Sequence, residues 1–86
     1  MLEALALNIN EMEKIVYVQL LGEGTIVYRP VPATQINGSI HLLRGEEIFD
    51  GDDEDWEFLP GTKVVVEERE LGGEKVFVAI DKETTK

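Results

Sequence analysis

Thr62-Lys63-Val64-Val65-Val66-Glu67-Glu68-Arg69-Glu70-Leu71-Gly72-Gly73-Glu74-Lys75-Val76-Phe77-Val78-Ala79-Ile80-Asp81 reads as a β-hairpin. Both halves are rich in β-branched residues, which fit a pleated, half-buried surface. Gly72-Gly73 divides them, and glycines take the positive backbone angles of a tight hairpin without a Cβ penalty. Alternation then assigns faces. In the fourth strand, Thr62–Glu70, Val64 and Val66 share one side, and Lys63, Val65, Glu67 and Arg69 the other. In the fifth, Glu74–Asp81, the expected core face is Val76, Val78 and Ile80, with Phe77 and Ala79 opposite. Phe77 and Val65 give the hairpin a second face that is not fully polar, suited to packing under a loop, the leader or another subunit.

The period of two extends upstream. Ile15–Leu21 is the first strand, and Gly22-Glu23-Gly24 reverses the chain. Thr25–Val31 is the second, where Pro30 and Pro32 remove two ladder donors and imply an edge or a bend. Ala33–Ile36 carries it to Asn37-Gly38, the strongest short-range hairpin signal, since both positions of a type I′ turn take positive φ. Ser39–Arg44 is the third strand. A long acidic segment follows, closed by Pro60-Gly61, a type II turn pair. The expected fold is all-β: a five-stranded antiparallel small barrel, SH3-like, with one long acidic loop. An OB-like barrel and an open meander are the alternatives. Residues 14–81 make the single barrel domain, and 82–86 a frayed polar tail. Residues 1–13 are an N-terminal extension that fits a short helix (Leu2, Leu5, Ile9, Met12) or a strand (Leu5, Leu7, Ile9). Met12 offers a second start just before the first strand.

Size and composition narrow the function. A chain of 86 residues makes one small domain with a thin stability margin. No run approaches the ~20 apolar residues of a membrane span. The leader has no Lys or Arg and so lacks the basic opening of a secretory signal, which points to the cytoplasm. Cysteine is absent, which removes disulfides, thiolate nucleophiles and zinc–thiolate sites. So small a core without staples favours a homo-oligomer. Eighteen acidic against 8 basic residues give a net charge of −10. That field repels nucleic acid and acidic membranes and attracts a basic protein.

The charge gathers in Glu46-Glu47-Ile48-Phe49-Asp50-Gly51-Asp52-Asp53-Glu54-Asp55-Trp56-Glu57-Phe58-Leu59-Pro60-Gly61, around the only Trp. Started at Asp50, an EF-hand loop would need Gly where Asp55 stands and Glu where Gly61 stands, so the segment reads as a solvated acidic loop and no metal or other cofactor is expected. Glu57 lies between two aromatics, but alternation turns it away from both, which marks a surface glutamate more than a catalytic acid. Ser39 and His41, the only Ser and the only His, share a strand face without a nucleophile elbow and read as a turn serine and a strand histidine. Neither Gly22-Glu23-Gly24 nor Gly72-Gly73 leads into a helix or carries a Walker lysine, so neither is a phosphate loop. Trp56 is either a core anchor with its N–H outward or a partner contact. Tyr17 and Tyr28 suit a cross-strand pair. Arg29 pairs with Glu23 or Glu57, as structure or as a small anion site.

Val18-x-Leu20-Leu21-x-Glu23-Gly24-x-x-Val27-x-Arg29-Pro30-Val31, then Trp56-Glu57-Phe58-x-Pro60-Gly61-x-x-Val64, then Gly73-x-x-x-Phe77-Val78-Ala79, resembles a group of small uncharacterised bacterial single-domain β proteins. The resemblance covers roughly residues 14–81 and implies a single β domain starting near Lys14; it brings no activity. The chain also has the look of accessory bacterial genes such as integron cassettes.

The expected function is a non-enzymatic protein-binding or adaptor module. Its binding residues would be Trp56, Glu57, Asp52, Asp53, Asp55 and Arg29, facing a basic protein or a second copy of the chain. No catalytic or metal-ligating residue is assigned. One alternative is an inhibitor or immunity-type protein whose acidic surface mimics nucleic acid. The other is a ligand-binding barrel or small enzyme in which His41, Glu57 and Arg29 converge.

Overall fold

The computed structural model describes residues 13–84, so the expectations for the leader before Glu13 lie outside the described residues. Among the described residues there are five strands: β1 (Glu13–Leu20), β2 (Val27–Asn37), β3 (Ile40–Leu43), β4 (Lys63–Leu71) and β5 (Glu74–Lys82). They form a closed ring in chain order. Each consecutive pair is antiparallel. The ring closes through a parallel seam, Val16 opposite Phe77 and Tyr17 opposite Val78. Parity requires this, because in five strands of alternating direction the first and fifth run the same way. The expected small all-β barrel is therefore present, with one parallel seam in an otherwise antiparallel meander. The tail begins later than expected. Lys82 is part of β5, and the Glu83 amide donates to the Lys63 carbonyl at 2.9 Å.

Both prolines sit where the ladder does not need their hydrogens. The Pro32 carbonyl accepts from the Arg44 amide at 2.8 Å, on the side of β2 away from β1. Even-numbered residues of β2 therefore aim their backbone polar groups to that side. β3 extends along β2 only as far as the pair Ala33–Leu43, so Pro30 lies beyond its reach. The stretch is a local edge within a closed ring.

The core fills the barrel with Val16, Val18 and Leu20 from β1, Val31 and Ala33 from β2, Leu43 from β3, and Val64 and Val66 from β4. The β5 contribution differs from expectation. Val66 pairs with Ala79 while Val65 pairs with Asp81, which leaves Ile80 as the extra residue of a β-bulge. The bulge breaks the alternation. Ala79 joins the core, Ile80 is turned to solvent, and Val78 is buried apart from the main cluster. Phe77, two residues before Ala79, takes the inward parity assigned to Val76 and Val78.

The β2–β3 hairpin also forms by another route. Asn37 pairs with Ile40, so Gly38 and Ser39 are the central turn residues. Only Gly38 has positive φ, at 28°, and Asn37 stays in the strand. A bulge between Gln35 and Asn37 shifts the register by one residue and moves the turn along the chain. The pattern is the glycine-first hairpin and not the Asn-Gly type I′ turn.

Candidate functional site

The acidic loop is an ordered part of the barrel. It leaves β3 through Gly45, whose carbonyl accepts from the amides of Ile48 and Phe49, both at 3.0 Å. Gly45 is buried with φ of 95°, and a Cβ there would meet Val31 Cγ1 at 3.1 Å, so glycine alone fits this approach. Asp50 starts the next turn. Its carboxylate accepts from the Asp52 amide at 3.0 Å, and its carbonyl accepts from Asp53 and Glu54. The chain then lies against the end of β1. Leu21 N–H donates to Asp55 O at 2.7 Å, Glu57 N–H donates to Gln19 O at 2.9 Å, and Trp56 bridges Leu20 between them.

That bridge decides the role of Trp56. The indole is 2% exposed and lies edge-on to Phe49 with ring centroids 5.0 Å apart. Its N–H donates to Glu54 Oε1 at 3.0 Å. Trp56 therefore plugs the end of the barrel where β1 finishes. Its assignment as a binding residue is corrected: a side chain this buried offers a partner no surface, and its N–H is already used. Phe58 packs partly buried against the same core.

Glu54, which the sequence left unassigned, is the centre of the loop. Arg29 donates to it through Nε at 2.6 Å and through Nη2 to the second oxygen. Arg29 thus pairs with neither Glu23 nor Glu57, and its fork is occupied, which removes it as a free anion site. The guanidinium, and then the indole N–H, hold the Glu54 carboxyl below its usual range; the same bond raises Arg29. A bidentate Arg–carboxylate pair is specific in geometry as well as charge. No signal in the sequence singles out Glu54 from its acidic neighbours, because only the β1–β2 register brings Arg29 beside it.

The remaining loop acids face solvent. Asp52, Asp53, Asp55 and Glu57 are all exposed. Partial burial, and then the charge of Asp81, push the Glu57 carboxyl up. Among the described residues no group of three or more His, Cys, Asp or Glu is placed to hold a metal ion. Tyr17 lies opposite Pro30 and Tyr28 opposite Gln19, so the two tyrosines are diagonal and make no ring pair.

His41 lies at the other end of the barrel. It is 2% exposed, and among the described residues its Nδ1 has no hydrogen-bond partner. Burial, opposed by the Ser39 backbone and reinforced by the Lys14 charge, lowers its pKa below the usual 6.5. Its ring meets Phe77 at 6.2 Å between centroids. His41 and Ser39 line a cavity of ≈ 230 Å³ that neither Arg29 nor Glu57 reaches, so the expected convergence of His41, Glu57 and Arg29 does not occur. No described carboxylate lines that cavity to orient His41 as a catalytic base.

Among the described residues, fold and site define a small acidic β-barrel, plugged at one end by an acidic loop and holding a cavity at the other. Comparison with protein-family models, curated proteins and solved structures found no match for this chain.

Proposed function

We propose that the chain is a non-enzymatic binding module for a basic protein. One observation carries this: the Arg29–Glu54–Trp56 clamp turns a single loop acid inward and fixes the backbone that displays Asp52, Asp53, Asp55 and Glu57 to solvent. A charged surface held in one conformation before contact avoids the ordering cost of a flexible loop. The net charge of −10 steers a cationic partner toward it. Trp56 and Arg29 support this surface from behind and do not touch the partner. The resemblance to small bacterial single-domain β proteins adds no activity to this reading.

The test compares the wild type with D52N/D53N/D55N as bait in a host lysate at low and moderate salt, read by mass spectrometry. The expected result is a basic protein held by the wild type at low salt and lost with the triple variant. With that protein purified, its association rate with the variant falls by about tenfold or more at low salt. Equal capture and equal association rates for both baits would overturn the proposal.

A further inference from the structure

The open end of the barrel carries a site that the acidic loop does not share. Lys14 precedes Val16 by two residues on the inward side of β1, and Gln35 follows Ala33 by two on β2. Phe77 holds the same relation to Ala79 on β5, and His41 to Leu43 on β3. Alternation therefore aims Lys14, Gln35, His41 and Phe77 into the barrel mouth. There they line the ≈ 230 Å³ cavity together with Ser39 and Val66. Gln35 is fixed by a bond from its Nε2 to the Gly38 carbonyl at 3.0 Å, which leaves its side-chain oxygen and second N–H free of that bond.

The charge of this lining runs against that of the molecule. The chain has 18 acidic and 8 basic residues, yet the described lining holds one lysine and no carboxylate. Glu13 belongs by alternation to the opposite face of β1 and lines a separate groove with Glu46 and Glu47, while Glu68, opposite Phe77 on β4, shares the inward parity but stands beyond the cavity lining. Apolar walls, Val66 and the half-exposed Phe77 ring, stand with donors on Lys14 and Ser39. The volume exceeds the ~150 Å³ that accepts benzene and falls short of a drug-sized pocket of about 300 Å³. Among the described residues His41 Nδ1 is buried and unpartnered, a polar group that an oxygen of a bound carboxylate would satisfy.

We propose that the barrel mouth binds a small aromatic monocarboxylate, with the carboxylate on Lys14 and Ser39 and the ring against Phe77 and Val66. The site is independent of the loop, at the opposite end of the barrel, and stands or falls without it.

The probe is benzoate, titrated into the full-length protein and followed by amide and His41 ring NMR signals, with benzylamine as a cation of equal size. The expected result is saturable shifts at Lys14, Gln35, Ser39, His41 and Phe77, at a Kd of about 1 mM or tighter, and none with benzylamine. Lys14→Met, a rim change that keeps the core intact, weakens binding by about tenfold or more. Val66→Phe fills the cavity and abolishes binding. No saturable shift up to about 10 mM benzoate, equal response to benzylamine, or a Lys14→Met variant that binds like the wild type would each overturn the proposal.

Discussion

At the scale of single residues, the loop depends on three side chains of different kinds. Trp56 is the largest buried side chain, and Trp56→Ala removes the plug of one barrel end; the expected loss is about 3–5 kcal/mol by chemical denaturation. Trp56→Phe keeps the apolar body but leaves Glu54 without its indole donor, so it costs less than the alanine change. Gly45→Ala forces a side chain into positive φ and against Val31, for an expected loss of about 1–3 kcal/mol. Replacing Gly22, whose φ is also positive but whose added Cβ would meet nothing within 4 Å, shows the conformational cost alone. If the two glycine variants are equally stable, the contact with Val31 is not what holds the loop.

Titration separates His41 from Glu54. The folded pKa of His41 lies below 6.5, so the unfolded chain takes up this proton first, and stability is lost as pH falls below that value. The folded pKa of Glu54 lies below 4.5, so its contribution is present above that value and is lost at more acidic pH. Glu57 acts in the opposite sense: its carboxyl is raised, so its contribution declines as pH rises from 4.5 through its folded pKa. Denaturant midpoints measured across pH should therefore show a decline starting near 6.5 that His41→Leu removes and Glu54→Gln does not.

At the scale of the element, the long loop behaves as a short extra rung of the sheet and a clamp. Its backbone bonds go to Gln19 of β1 and to Leu21 just past its end, while Gly61 N–H donates to Leu43 O at 2.8 Å on β3. Its stability comes from the rung, the buried Trp56 and the Arg29–Glu54 pair, and its exposed acids are dispensable for folding. Asp52→Asn, Asp53→Asn and Asp55→Asn together should change unfolding free energy by no more than about 0.5 kcal/mol per site, apart from a gain through relieved repulsion. A large loss would mean that these carboxylates hold the loop themselves. Arg29→Met, in contrast, leaves Glu54 without its strongest partner and should loosen residues 50–57. Hydrogen exchange at the Leu21 and Glu57 amides reports this directly.

At the scale of the whole molecule, the two ends of one barrel place their charges differently. The plugged end bears the acids of residues 50–57 around the Arg29–Glu54–Trp56 clamp. The other end holds Lys14 inside the cavity lining and the acidic β4–β5 hairpin, with Glu67, Glu68, Glu70 and Glu74, beyond it. Across the whole chain the excess of negative charge repels itself, so sodium chloride at moderate concentration should raise the thermal midpoint by roughly a few degrees. A midpoint that falls with salt would mean that attractive pairs such as Arg29–Glu54 outweigh the repulsion.

The sequence by itself determined the strand content and the main turn positions, because period-two alternation and glycine placement act through near neighbours. It also determined that the segment around Trp56 is acidic and that no cysteine chemistry is present. Tertiary structure alone decided the faces of β5, since one extra residue at Ile80 reverses a parity that local alternation cannot see. It decided that Trp56 is a plug, because the rung against Leu20 joins segments far apart in the chain. It selected Glu54 from a run of similar acids by setting Arg29 beside it. The barrel mouth has the same origin: Lys14, Gln35, His41 and Phe77 come from four strands and share nothing in sequence until the parallel seam between β1 and β5 closes the ring.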